Sequence, residues 1–248
     1  MSGDVKVAGA AAVPVLSSSL DYYLISAEPG DPFVPVAGIL VEEFVFGDDS
    51  STITPRGAGW TAGQDGWWDA GPVSRRVRAE RDLRRRVTVA SRDEVGRIYR
   101  PLTGEALPDE ATLRSHFGGA EPARFSAPLR LTAESVPEGV HERRVYRILL
   151  ADDLGDESLA SLCARWGMEV VGDRRDPSTR VVGSAEATIG DDRFAWDLRR
   201  IGSGVAWGVD VTVDLGDSRT DRIEPLLRGL VAVVREQGLI PVAIERFS

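Results

Sequence analysis

Apolar and polar residues alternate along residues 205–215, and this pattern restricts the fold more than any other part of the sequence. Val209, Val211 and Val213 are separated by Asp210 and Thr212. A period of two is that of a β-strand, whose side chains point alternately to the two faces of a sheet. One face of this strand is therefore apolar and must be covered, while the other is solvated, as is typical of an antiparallel sheet.

The hundred residues around this strand contain further segments of both strand and helix type. Helical periodicity occurs at 156–166, where Leu159, Leu162 and Trp166 share a face, and again at 221–237. Strand-type segments cover residues 144–151, 181–189, 193–201, 205–215 and 239–247, with a shorter one at 168–171. The order of strand, helix, strands, helix and strand predicts a ferredoxin-like α+β sandwich in the order β-α-β-β-α-β over residues 142–248.

The first half of the chain is rich in strand signals. Residues 20–26 and 36–46 have the β-branched and aromatic content of strands. The glycines and tryptophans between Pro55 and Pro72 indicate short strands joined by tight turns. The arginine-rich segment 74–86 that follows fits a helix and an extended edge equally well.

Short helices complete this half. Ser91 and Glu94 form a capping-box pattern that starts a helix over residues 91–100, and Pro101 is expected to end it. A second short helix is predicted from Pro108 to the glycines at 118–119. Residues 20–118 are therefore interpreted as a β-rich domain with short helices.

The predicted fold class is α+β, in two domains with a tail and a linker. Residues 1–19, which contain a run of small apolar residues before three serines, are predicted to be a disordered tail. Residues 119–141 contain scattered glycine and proline with weak periodicity, which predicts a linker. The linker separates the β-rich N-terminal domain, 20–118, from the ferredoxin-like domain, 142–248.

Composition excludes several classes of function. The formal net charge of −9 and the pI of about 4.9 make nucleic-acid binding an unfavoured interpretation and argue against a membrane surface. The single cysteine and the two histidines leave no disulfide framework and no multi-histidine metal centre. Lys6 is the only lysine, so lysine-dependent chemistry in a folded domain is excluded. We expect a cytoplasmic protein with no metal and no cofactor.

The candidate binding residues are three tryptophans and the arginines that follow them: Trp60, Trp67, Trp68, Arg75, Arg76 and Arg78. Tryptophan and arginine are enriched at binding hot spots, and aromatic rings on a glycine-rich ribbon can stack on a ligand. The alternative is that the tryptophans form the core of the N-terminal domain, and that the arginines form a solvated face that offsets the acidic residues before them.

These observations favour a non-enzymatic binding or regulatory protein that acts through a protein partner, such as an accessory, adaptor or toxin-neutralising protein. One alternative is an enzyme that uses carboxylate and arginine groups on a phosphorylated small molecule, in a cleft between the two domains. A second alternative is a small-ligand sensor that uses the tryptophans. The sequence gives no indication of the oligomeric state.

Overall fold

The structure is a computed structural model that describes residues 20–28, 35–50, 52–119, 136–151, 154–173, 176, 178–201 and 206–247. The chain divides into two compact units. Within the described residues, the N-terminal unit comprises 20–119 with Gly238–Ile240, and the C-terminal unit comprises 136–237 with 241–247. The predicted tail, 1–19, and most of the predicted linker, 119–141, lie outside the described residues.

The N-terminal unit is built on a five-stranded antiparallel sheet in the order β4-β3-β2-β1-β5. Its strands are β1 (Asp21–Ser26), β2 (Val36–Phe46), β3 (Thr52–Thr61), β4 (Trp68–Asp69) and β5 (Val87–Ala90). Its helices are α1 (Gly71–Ala79), α2 (Arg81–Arg84), α3 (Arg92–Thr103) and α4 (Glu110–Ser115). The arginine-rich segment is therefore helical rather than extended, because Pro72 starts α1 in its first turn and Val77 faces inward.

Both faces of this sheet are covered. In the pairing of β2 with β3, Ile39 lies opposite Trp60 on one face of the sheet, and Leu40 lies opposite Gly59 on the other. Helices α3 and α4 contact strands β1 and β3 respectively, whereas α1 contacts β3. The face with Trp60 forms a core cluster with residues of α3 and α4: Leu20, Tyr22, Ile39, Val41, Trp60, Val95, Tyr99 and Leu113. Helix α3 therefore has one side fixed to this core and another side open.

The C-terminal unit has a six-stranded antiparallel sheet in the order β11-β6-β10-β9-β8-β7. The strands are β6 (Glu142–Leu150), β7 (Glu169–Val170), β8 (Val181–Ile189), β9 (Asp192–Ile201), β10 (Ala206–Leu215) and β11 (Pro241–Arg246). The helices are α5 (Asp156–Arg165) and α6 (Ile223–Glu236), which contact each other. Two antiparallel sheets with helices confirm the mixed α and β fold class.

The ferredoxin-like order is not confirmed. Four strands, β7 to β10, connect the two helices, whereas the order β-α-β-β-α-β has two strands there. The chain after α5 goes to β7 at the far edge of the sheet and returns through β8, so β9 becomes the neighbour of β10. Strand β8 takes the place beside β9 because its side chains at Val182 and Ala187 are buried on the sheet. It joins β9 through a tight turn at Gly190, whose φ of 65° is favourable for glycine.

The alternation at residues 205–215 produces the strand that it predicts. Val209 pairs with Ile148 and Leu198, and all three side chains are buried. Asp210 lies on the opposite face between Arg147 and Arg199. The sheet therefore has an apolar face and a face of paired charges. No helix in the described part of the chain is both long and apolar enough to cross a membrane.

Candidate functional site: a groove along helix α3

Trp60 and Trp67 meet at the same residue of α3. Trp60 is 6% exposed and packs edge-on against Tyr99, with 5.4 Å between the ring centroids. The Trp67 ring lies 5.7 Å from Tyr99, and its Nε1 donates a hydrogen bond to the tyrosine hydroxyl at 3.3 Å. Trp67 is half-buried, so these two residues link the core of the N-terminal unit to its surface.

Trp68 belongs to the other face of the sheet. It pairs with Gly59 in the register of β3 and β4. A Cβ atom at Gly59 would lie only 2.5 Å from the Trp68 ring, so the indole lies directly on the glycine backbone. The three predicted tryptophans therefore lie on two faces of the sheet and do not form one surface. Their role in binding stays a prediction.

The predicted arginines have three different environments. Arg78 is buried and forms two hydrogen bonds with Glu42, of 2.8 and 2.9 Å, with the two side chains 6% and 1% exposed. Arg76 is exposed and pairs with Glu80 one turn later in the same helix. Arg75 is exposed and has no ion pair among the described residues. Arg78 is thus a residue that holds α1 to the sheet, and only Arg75 and Arg76 are accessible to a partner.

Burial also shifts ionisation around Arg78. The pKa of Tyr23 is raised, mainly by its complete burial and further by the charge of Glu42. Burial disfavours the charged guanidinium of Arg78, but the adjacent carboxylate of Glu42 outweighs it and raises the pKa of Arg78. The raised pKa values keep the Tyr23 hydroxyl neutral and the Arg78 guanidinium charged, so Arg78 remains an ion-pair partner for Glu42.

Residues of the N-terminal unit line a groove of about 930 Å³ along α3, which we call the α3 groove. Its lining combines cations with small and apolar residues: Arg92, Asp93, Gly96, Arg97, Arg100, Pro101, Ala106 and Leu107. All eight belong to α3 or to the loop after it. Val95 and Tyr99 on the same helix are buried in the core, so the α3 groove lies on the opposite side.

Both ends of α3 are fixed by local sequence. The Ser91 hydroxyl accepts a hydrogen bond from the backbone N–H of Glu94, whose carboxylate accepts one from the backbone N–H of Ser91. These hydrogen bonds lower the pKa of Glu94. The helix continues past Pro101 and ends at Gly104, which has a φ of 80°. The expected end at Pro101 is therefore wrong by about one turn, because a proline near the helix end removes only one backbone hydrogen bond.

Arg92 is held in a fixed orientation at one wall of the α3 groove. Its two terminal nitrogens donate to the Tyr22 hydroxyl and to the carbonyl of Pro108, each at 2.6 Å. The Tyr22 hydroxyl also lies 3.3 Å from a carboxylate oxygen of Glu110. Burial is the main reason that the pKa of Tyr22 is raised, which keeps its hydroxyl neutral and able to accept from Arg92.

Arg97 and Arg100 are exposed, and neither forms a salt bridge with a described carboxylate, although the charge of Arg97 contributes to lowering the pKa of Glu94. Arg97 donates only to the backbone carbonyl of Asp93, and Arg100 has no hydrogen bond to any described residue. This is unusual in this chain, where many arginines are paired. Such pairs include Arg76–Glu80, Arg78–Glu42, Arg114–Glu43, Arg143–Asp214, Arg147–Asp210, Arg222–Asp192 and Arg228–Glu224.

Sequence reasoning missed the α3 groove, although it identified the helix. The core face of α3 was recognisable from Val95, Ile98 and Tyr99, but the arginines on its other side resemble any solvated helix face. The one signal available was a glycine in mid-helix, Gly96; Asp93 stands four residues before Arg97, which is the spacing of a surface ion pair and predicts that this arginine is paired.

The α3 groove can bind an anionic group through its arginines and an apolar group through its floor. No group of three or more histidine, cysteine, aspartate or glutamate side chains in the described ranges is placed to hold a metal ion. Comparison with protein-family models, with curated proteins and with solved structures gives no match for this chain.

Proposed function

We propose that this chain is a non-enzymatic binding protein that acts through a protein partner docked on the α3 groove. The observation that carries the proposal is the pair of exposed arginines, Arg97 and Arg100, which form no salt bridge within the described part of a chain of net charge −9. An acidic chain has many carboxylates available for pairing, so arginines that remain unpaired around an open groove suit a partner that supplies the carboxylates.

The arrangement also has the mixed chemistry of a protein interface. Leu107 and Ala106 provide apolar contact beside the arginines. Arginine is enriched at interfaces because its guanidinium is planar, weakly hydrated and able to bind carboxylates through two hydrogen bonds. The aromatic cluster of Trp60, Trp67 and Tyr99 under α3 supports the helix rigidly, which reduces the entropy lost on binding.

The test is a capture experiment with matched charge reversals. Tagged wild-type protein, the variant Arg97→Glu/Arg100→Glu and the variant Arg75→Glu/Arg81→Glu are used as bait in a lysate of the source organism, followed by mass spectrometry. Both variants change the net charge equally at exposed arginines of the N-terminal unit. We expect a stoichiometric protein partner that the first variant loses and the second retains.

The other outcomes each contradict the proposal in a different way. Equal capture by the first variant and the wild type would show that the partner does not use the α3 groove. Loss with the second variant alone would place the interface at the arginines of α1 and α2. The absence of any stoichiometric partner at low salt would favour the alternative of an enzyme or sensor for a phosphorylated small molecule.

A further inference from the structure

We infer that the α3 groove recognises a polypeptide segment in which carboxylate side chains flank an apolar side chain, rather than a free phosphate or a nucleic acid. This inference rests on the proposed function and adds the chemistry of the partner. Three features of the groove carry it: an apolar floor, a backbone carbonyl that a proline leaves without its helical donor, and arginines placed around both.

The floor of the α3 groove has room for an apolar side chain. Gly96 lies in the middle of α3, and a Cβ atom built there would meet only the Cβ of Leu107, at 4.0 Å. The helix backbone at Gly96 therefore lies beside Leu107, and Ala106 and Pro101 line the same groove, so this part of the lining is apolar. A phosphate group gains nothing from such a floor, whereas an apolar side chain of a bound segment is stabilised by leaving water there.

Pro101 leaves a backbone carbonyl without its helical partner. In α3 the carbonyl of Arg97 would accept a hydrogen bond from the backbone N–H of residue 101, but proline has none. Both Arg97 and Pro101 line the groove. The carbonyl can accept from a backbone N–H of a bound segment, and a fully ionised phosphate has no hydrogen to donate. This feature favours a peptide over an inorganic anion.

The three arginines differ in how much they are held. Arg92 is fixed by its bonds to Tyr22 and Pro108, so one cation stands preorganised at the groove wall. Arg97 and Arg100 are free to adjust around it. One fixed guanidinium and two that are less restrained can bind carboxylates at different spacings along a peptide segment. Each guanidinium can bind a carboxylate through two hydrogen bonds. The overall charge of −9 disfavours a polyanion as long as a nucleic acid.

The test uses defined peptides and the full chain. A fluorescein-labelled peptide with a central leucine between pairs of glutamates is titrated with protein, and polarisation is measured at low salt. Comparison peptides replace the leucine by serine, replace the glutamates by glutamine, or carry N-methyl groups on the backbone amides. Sodium tripolyphosphate and oligo-dT serve as competitors.

We expect the parent peptide to bind, and each peptide change to weaken it, by at least tenfold for glutamine and about fivefold for serine or N-methylation. Arg97→Glu/Arg100→Glu should weaken binding by at least tenfold, and the control Arg81→Glu/Arg85→Glu, at two exposed arginines outside the groove, should change it less than twofold. Gly96→Val, which fills the floor while leaving the charges in place, should weaken the leucine peptide more than the serine peptide. Circular dichroism confirms that each variant is folded.

Three outcomes overturn the inference. Equal binding of the leucine, serine and N-methyl peptides, with full displacement by tripolyphosphate, would assign the groove to a free anion. Tighter binding of oligo-dT than of the peptide would assign it to nucleic acid. If the peptide does not bind while capture of a protein partner still depends on Arg97 and Arg100, the chemistry inferred here is wrong and the proposed function stands. If that capture is also independent of the two arginines, both are wrong.

Discussion

Arg76 and Arg78 are two residues apart in one helix, yet one is solvated and the other is among the most buried charges in the N-terminal unit. Arg76 pairs with Glu80 on the surface, whereas Arg78 reaches a glutamate 36 residues earlier, on β2. The sequence could not distinguish them because the spacing of arginines in 74–86 is that of a charged surface. Only the position of Glu42 on the face that α1 covers separates the two roles.

The buried pair predicts a large effect from removing one partner. Glu42→Gln should destabilise the protein by about 3–5 kcal/mol, because Arg78 would remain charged and buried without its carboxylate. The double variant Glu42→Leu/Arg78→Met should recover most of this loss. Urea unfolding of the two single variants and the double variant measures the coupling, and a Glu42→Gln cost below about 1 kcal/mol would show that the pair is solvated in solution. Arg76→Gln is the surface control.

Two glycines predict opposite effects of the same substitution. Gly59→Ala should destabilise by about 1–3 kcal/mol, because the added methyl would lie 2.5 Å from the ring of Trp68. Gly96→Ala should stabilise by about 0.4–1 kcal/mol, since it replaces a mid-helix glycine where nothing closer than 4.0 Å opposes it. Thermal unfolding of both variants gives the comparison, and equal effects of the same sign would contradict these contacts.

At the scale of elements, α3 is the helix that sequence describes best and on which the candidate site depends. Its start follows from Ser91 and Glu94, and its buried side follows from the spacing of Val95 and Tyr99. The end differs from the prediction because Gly104 stops the helix more effectively than Pro101. That extra turn places Pro101 inside the helix, where it leaves the carbonyl of Arg97 without its helical hydrogen bond.

The capping box gives a prediction for α3 as a unit. Ser91→Ala should destabilise the protein by about 1 kcal/mol, because the backbone N–H of Glu94 loses its acceptor. Ser91→Asp, which can still cap the helix, should retain most of the stability. Hydrogen exchange of the first turn of α3 localises the effect, and an unchanged exchange rate in Ser91→Ala would show that this turn is held by packing alone.

The charged face of the C-terminal sheet gives a pH dependence. Burial works against the ionised form of Asp210, but hydrogen bonds from Arg147 and Arg199 outweigh it and lower its pKa. A carboxyl whose pKa is lower in the folded state contributes stability that is present above its unfolded pKa and lost as the pH falls through the folded value. We therefore expect this contribution to disappear as the pH falls below about 4.

The variant that isolates this contribution is Asp210→Asn. It should lower stability at neutral pH by about 1–3 kcal/mol and make the loss of stability in acid less steep. Glu186→Gln, an exposed change in β8, is the matched control. Urea unfolding at a series of pH values provides the data, and an acid slope identical to that of the wild type would rule out this role for Asp210.

At the scale of the whole molecule, sequence reasoning succeeds where periodicity is local. The alternation in β10, the capping box of α3 and the periodicity of α6 each describe one element, and each element forms. Sheet order is different, because it depends on which strands meet, and α5 returns to β7 at the edge rather than beside β10. The candidate site could not be predicted from the sequence either. It depends on which arginines form no salt bridge, and several salt bridges in this chain join residues that are far apart in the sequence.

The predicted linker at 119–141 has its own test. Apart from Lys6 in the predicted tail, limited trypsin digestion should cut first at Arg124 or Arg130, which lie in that stretch. The product should be two fragments, each with roughly half of the 26.8 kDa mass. Time-resolved mass spectrometry identifies the first cut, and a first cut within α1 or α3 would contradict the predicted division.

The position of β6 between β10 and β11 has a consequence for synthesis of the chain. Arg147 on β6 bonds to Asp210, 63 residues later, and Glu142 bonds to Arg246, 104 residues later. A ribosome therefore completes β6 long before either neighbour exists, while β1, β2 and β3 each pair with the next strand as it emerges. The nascent chain thus has a strand with both edges unpaired until β10 and β11 are made, and unpaired strand edges are sites where aggregation competes with folding.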